Sequence, residues 1–191
     1  MGSSPVRVTK QPEGVPRAVL VAVGIVRKLL FRGITMKNRV RIILTRFFRF
    51  LYDRGNKRRN MMKKAYDFLK ACGTFYLATM DGDQPRVRPF GAVALFEEKL
   101  YITTGNKKAV FSQLMANPKI EISGMVEGDW IRLSAEVVRD ERREAKTAML
   151  EENPVLRGMY AEDDGVFEVL YLVNAKATVC SFTKAPESWE F

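Results

Sequence analysis

The stretch Leu100–Pro118, LYITTGNKKAVFSQLMANP, reads as a strand, a Gly-Asn corner and a short helix. Val110, Phe111, Leu114 and Met115 recur at helical spacing, Asn106 is placed as the N-cap, and Asn117-Pro118 is the stop. Its charge is unusual. Lys107 and Lys108 fall in the first turn, where the helix dipole already supplies partial positive charge and acidic residues are favoured. Two ammonium groups there are explained by an anion held among them and the free backbone N–H groups. A pair of solvated surface lysines explains them equally well on this stretch alone.

Working outward, Arg86 to Leu95 forms the preceding strand, with Arg86 and Arg88 two positions apart and therefore on one face. Pro89 removes a ladder donor and Gly91 permits a bulge, so this strand is expected to bend or to lie at an edge. Upstream, Ala65, Phe68, Leu69 and Cys72 mark an amphipathic helix ended by Gly73. Thr74 to Met80 is a strand, and Asp81-Gly82-Asp83 is a turn.

Downstream, Ile120 and Ile122, and then Ile131 to Val137, alternate as half-buried antiparallel strands around Glu127-Gly128-Asp129. Asp140 is placed as the cap of a helix through Met149 and Leu150, and a second short helix starts at Pro154. Phe167 to Val173 and Ala177 to Phe182 read as two strands joined by a tight Asn174-Ala175-Lys176 connection. Six or seven short strands with interspersed helices predict a mainly β fold, a closed antiparallel barrel with peripheral helices. In that arrangement Arg86, Arg88, Lys107 and Lys108 can converge on one phosphate, with Thr103, Thr104 and Asn106 as neutral donors.

Charge divides the chain at residue 60. Residues 1–60 carry 15 Lys and Arg against 2 Asp and Glu, whereas residues 61–191 carry 17 against 20, so the net +10 describes neither part. Within 1–60, Met36 to Tyr52 has the pattern of a basic amphipathic helix able to lie on an anionic membrane. The apolar run Ala18 to Val26 is too short to span one. Lys57 to Asn60, followed by Met61-Met62, is also what a purine-rich ribosome-binding site ahead of two start codons would encode. The expected organisation is therefore a basic extension over 1–60, translated upstream sequence or a disordered or amphipathic arm, and a domain over 61–191. A membrane partner is expected only if 1–60 belongs to the native protein, and no nucleic-acid partner is expected.

The sequence contains no histidine, which removes Ser-His-Asp and Cys-His triads and histidine-ligated metal or haem. No residue stands out as a side-chain catalyst, and no metal-ligand cluster is present. Cys72 and Cys180 read as buried reduced thiols, consistent with the cytoplasm.

The segments FYLATMDGDQPRVRPFGAV, LYITTGNKKAVFSQLMANPKIEI, GDWIRLSAEVV and DGVFEVLYLVNAKATVCSF, in this order, resemble the pyridoxamine 5′-phosphate oxidase-like flavoproteins, the FMN-binding split-barrel family. The resemblance covers Met62 to Phe182. It implies a six-stranded, Greek-key-like split barrel and a homodimer with FMN at the subunit interface. It further implies that Arg88 meets the phosphate and that Asn106, Lys107 and Lys108 form the polar-basic-basic triplet at the helix start. Tyr101 to Thr104 would lie along the flavin, and Trp130 would fall near its ring. The family's namesake oxidases use a C-terminal arginine and histidine for substrate. This chain has no arginine after Arg157 and no histidine, so that oxidase activity is not implied. Nitroimidazole-resistance proteins are similar in size and motifs, but a histidine is implicated in their chemistry, so their activity is not implied either, and histidine-dependent haem relatives are disfavoured for the same reason.

Two functions follow: an FMN-dependent oxidoreductase acting on a small molecule, with NAD(P)H as a candidate reductant, or a non-catalytic flavin-binding or redox-sensing protein on the same barrel.

Overall fold

The structure, a computed structural model, describes residues 38–191, with side chains from residue 44 onward. The readings placed on residues 1–37, the proline-rich start and the Ala18 to Val26 run, lie outside the described residues. Two compact units divide the chain, Met1–Lys57 and Arg58–Phe191.

Helix α1 spans Asn38–Cys72. The two helices read from sequence are thus one, because residues 53–61 contain no proline and the single Gly55 costs only about 1 kcal/mol against alanine. In the first unit Phe47, Phe50, Leu51 and Tyr52 are exposed. No described helix is long and apolar enough to cross a membrane.

In the second unit the strands are β1 (Phe75–Asp81), β2 (Gln84–Phe90), β3 (Val93–Phe96), β4 (Lys99–Gly105), β5 (Lys119–Val126), β6 (Asp129–Asp140), β7 (Phe167–Cys180) and β8 (Glu187–Glu190). Helices α2 (Ala109–Ala116) and α3 (Arg143–Glu152) and a 3-10 turn at Pro154–Gly158 lie between them. All pairings are antiparallel, in the order β2-β1-β5-β6-β7-β4-β3, with β8 added to β7.

The closure follows from the linker. β2 and β3 stand at opposite ends of that order, yet only Gly91 and Ala92 separate them. Three Cα steps reach at most about 11 Å, so the sheet must curl until its two edges meet. This is the split of a split barrel. A Cβ on Gly91 would sit 3.2 Å from Gly73 O, so the chain crosses the split where only a glycine fits without adjustment.

The barrel carries eight strands because the Arg86 to Leu95 strand breaks at this crossing and the tail contributes β8. In the other direction, the two strands expected around Asn174-Ala175-Lys176 are one. Asn174 adopts φ 52° and the β6–β7 register shifts between Ser134 and Glu136, so the feature read as a turn is a bulge within continuous β7.

Phe75, Leu77, Ile102, Ile122, Ile131, Leu133 and Leu170 fill the barrel. A second cluster, with Tyr101, Met149, Leu150, Phe167 and Val169, lies on the other face of β4 under α3. Residues 58–72 of α1 pack on the barrel through Met62, Ala65 and Leu69, and the tail secures them: Trp189 Nε1 donates to Met61 O at 2.9 Å.

Candidate functional site

Register fixes which way the arginines face. Leu77 pairs with Arg88 and Thr79 with Arg86, and paired residues share a face, so both arginines project from the face that β1 turns inward. Because β2 is an edge strand, this inward face opens at the split instead of being sealed by another strand.

Arg88 does not hang free there. Its Nη1 donates to Thr79 Oγ1 at 2.6 Å, its Nη2 donates to Gln113 Oε1 at 2.7 Å, and the Thr79 hydroxyl donates to the same Gln113 oxygen at 2.7 Å. Further contacts run from Nη1 to Leu77 O at 3.3 Å and Arg86 O at 3.2 Å. Burial, and next the neighbouring Arg86 charge, pull the Arg88 pKa below its usual value. The guanidinium stays charged at any physiological pH. All its protein partners are neutral, and its Nε–H has none among the described residues.

Gln113 lies on α2, five positions from the N-cap residue Lys108, which is about 7.5 Å of helix rise. The triangle therefore docks Arg88 close to the start of α2. Lys107 and Lys108 are exposed, and neither forms an ion pair with a carboxylate among the described residues. Lys108 Nζ stands 5.9 Å from the centroid of the Tyr160 ring. The helix start has no side-chain cap and no acidic residue in its first turn.

Asn106 is not the N-cap. Its backbone N–H donates to Val166 O at 2.9 Å, and its Nδ2 donates to Gly165 O at 2.8 Å and Glu168 Oε1 at 3.3 Å. It ties the corner before α2 to the start of β7. Glu168, only 2% exposed, is held by Arg139 through two 2.8 Å hydrogen bonds. Asp140 likewise does not cap α3, which starts at Arg143. Its carboxylate accepts from Tyr101 Oη at 2.8 Å and from the Arg142 guanidinium and backbone N–H.

The other sequence-derived candidates divide. Thr104 is buried beside this corner, and its hydroxyl has no partner among the described residues. Thr103 Oγ1 donates to Glu168 O at 2.7 Å on the opposite face of β4. Tyr101 is not brought to the group, because its ring lies in the second cluster, 5.6 Å from Tyr171. Arg86 is exposed, and its Nε donates to Asp81 Oδ2 at 3.2 Å. Trp130 lies on the outer face of β6, 5.0 Å from the Phe182 ring, with its neighbour Ile131 in the barrel.

Arg88, Lys107 and Lys108 are thus the cations of this region that form no ion pair among the described residues, the Asp81 charge acting on Arg88 only from a distance. A half-buried guanidinium with only neutral partners is costly to desolvate unless an anion completes it. Donor-only groups beside an uncapped helix start suit a phosphate. Sequence reading missed Thr79 and Gln113. Each is a polar residue at an inward position of an otherwise apolar series, Phe75-Leu77-Thr79 and Val110-Gln113-Leu114.

The sequence over residues 61–178 matches the pyridoxamine 5′-phosphate oxidase family profile. A NimC/NimA family protein from Clostridium acetobutylicum shares 52% identity over 71% of this chain and 96% of its own, with a TM-score of 0.70. General Stress Protein 26 from Bacillus anthracis superposes with a TM-score of 0.56 at 15% identity, over 69% of this chain and 98% of its own. A haem-binding protein from Mycobacterium smegmatis gives 0.52 at 16% identity, over 63% and 53%. These last two show the shared fold. No protein of curated function matches the sequence. By profile and by fold, the chain belongs to the pyridoxamine 5′-phosphate oxidase family.

Proposed function

We propose that the protein is a cytoplasmic FMN-binding flavoprotein and an FMN-dependent oxidoreductase acting on a small molecule. The observation that carries this reading is the placement of Arg88, through Thr79 and Gln113, beside the basic, uncapped start of α2. Arg88 and the two lysines would hold the phosphate. Thr104 and the backbone N–H groups of the helix start would add neutral donors, and Arg86 would add charge at the rim. When bound, the flavin supplies the hydride or electron transfer, so the chain needs to supply binding, orientation and exclusion of water. FMN is favoured over a histidine-ligated haem because the chain has no histidine to serve as an axial ligand.

A homodimer accompanies this reading. On the outer faces of β1 and β2, Tyr76, Ala78, Met80, Pro85, Val87 and Pro89 form a stretch without a charge, with Tyr76 53% and Val87 65% exposed. Pro85 and Pro89 remove backbone donors, so this edge is suited to face-to-face packing more than to strand addition. Trp130, also on the outer face, would reach a flavin only if that flavin sat at an interface.

The test is to purify the full chain, record its visible absorption with added FMN, and add NADH or NADPH anaerobically. Bound flavin that is bleached supports the oxidoreductase. Bound flavin that neither nucleotide reduces favours a non-catalytic flavin carrier, and a protein that takes up no FMN overturns both readings.

A further inference from the structure

We propose that Gln113 is the residue that makes the site selective for a phosphorylated flavin, acting through Arg88 as a positioning residue. The inference rests on the flavin site proposed above. Arg88 extends from an edge strand, where a long side chain would ordinarily sample several rotamers and lose that freedom on binding an anion. Here three hydrogen bonds close a ring: Arg88 Nη1 to Thr79, Thr79 to Gln113, and Arg88 Nη2 to Gln113.

Only one orientation of the carboxamide satisfies this ring. Gln113 Oε1 accepts from both Thr79 and Arg88, and the flipped amide would turn its NH2 group onto the donor-only Arg88 guanidinium. Gln113 is 8% exposed and Thr79 3%, so the fixed side of the guanidinium is anchored in the interior. Because every anchor is neutral, the ring orients the cation without cancelling its charge. A carboxylate in the same place would orient it equally and neutralise it. Gln113 also couples the split edge of the barrel to α2, so the strand cation and the helix start keep their spacing before a ligand arrives.

The experiment compares FMN with riboflavin, which lacks the phosphate, by fluorescence titration of the full-length protein and its variants. Gln113→Met keeps length and helix propensity but removes the acceptor. It is expected to lower FMN affinity about tenfold or more, the scale of one hydrogen bond to a charged group, and to leave riboflavin affinity unchanged. Arg88→Lys should lose at least as much. The Gln113→Met, Arg88→Lys double variant should be no weaker than Arg88→Lys alone, because Gln113 acts only through the arginine. Thr79→Val opens the ring from its other side and should shift the FMN-to-riboflavin ratio in the same direction, which covers a Gln113 variant that fails to fold. An unchanged ratio in both Gln113→Met and Thr79→Val, or additive losses in the double variant, would overturn the inference. Wild-type protein that binds neither flavin would instead overturn the flavin site itself.

Discussion

Arg88 on β2 donates to Gln113 on α2 across 2.7 Å, joining the open edge of the barrel to the helix that two lysines, Lys107 and the N-cap Lys108, immediately precede. Through this bond a cation at the split and a pair of cations at a helix start belong to one site.

The lysines separate stability from binding. In the double variant Lys107→Glu, Lys108→Glu the new acids face the positive end of the helix dipole, where each is worth about 0.3–1 kcal/mol. Thermal stability should therefore hold or rise slightly, while FMN retention measured by visible absorption is lost. Retention equal to wild type would place the phosphate elsewhere.

The β3–β4 hairpin turns through Glu97 and Glu98 at φ 47° and 58°, a conformation that favours Asn-Gly. Replacing the pair by Asn-Gly relieves left-handed strain of about 1–2 kcal/mol per residue, less the added unfolded-state freedom of glycine, and should stabilise the protein by about 1 kcal/mol in a urea titration. Loss of the surface pairs Arg59–Glu98 and Arg142–Glu97 should offset little of this.

Asp140 gives an acid-side signature. The Arg142 hydrogen bond, with further bonds from the Arg142 backbone and Tyr101, holds its carboxyl down to about 2 from the ordinary 3.8, against the opposing effect of burial. A depressed carboxyl contributes stability above its unfolded pKa and loses it as pH falls through the folded one. Asp140→Asn should cost about 2 kcal/mol at neutral pH. The gap between variant and wild type should narrow as pH is lowered from about 4 to 2 in a chemical-denaturation series.

Gly124 lies where α1 presses on β5. An added Cβ would stand 2.7 Å from Cys72 Sγ and 3.2 Å from Phe75 Cβ, so Gly124→Ala should destabilise by about 1–3 kcal/mol in thermal melts.

Val87→Glu places a charge in the apolar outer face of β1 and β2. Analytical ultracentrifugation should show wild-type dimer converted to monomer, with FMN affinity reduced in parallel. A monomeric wild type would remove the interface from the account.

Much of this was legible in the sequence. Period-two alternation located the strands, the turn residues located the hairpins, and the spacing of Arg86 and Arg88 put them on one face. Boundaries failed where a local signal had two structural meanings. Asn174-Ala175-Lys176 makes a bulge as readily as a turn, and an arginine- and lysine-rich joint can continue a helix as well as separate two. Asn106 and Asp140 are good caps in isolation, but Asn106 is held by long-range partners at and just before the start of β7, and Asp140 by Arg142 two residues on together with Tyr101 of β4. The triangle at Arg88 escaped because it joins the β1–β2 hairpin, which the turn residues locate, to α2, and only barrel closure brings that helix onto the hairpin.

The central claim is that the phosphate of FMN is held between β2 and the start of α2, and the most direct measurement is a crystal structure of the protein grown with FMN. The account expects a phosphate within hydrogen-bonding distance of Arg88 and the Lys107–Lys108 helix start. Flavin phosphate bound elsewhere, with Arg88 still turned only to Thr79 and Gln113, would contradict it.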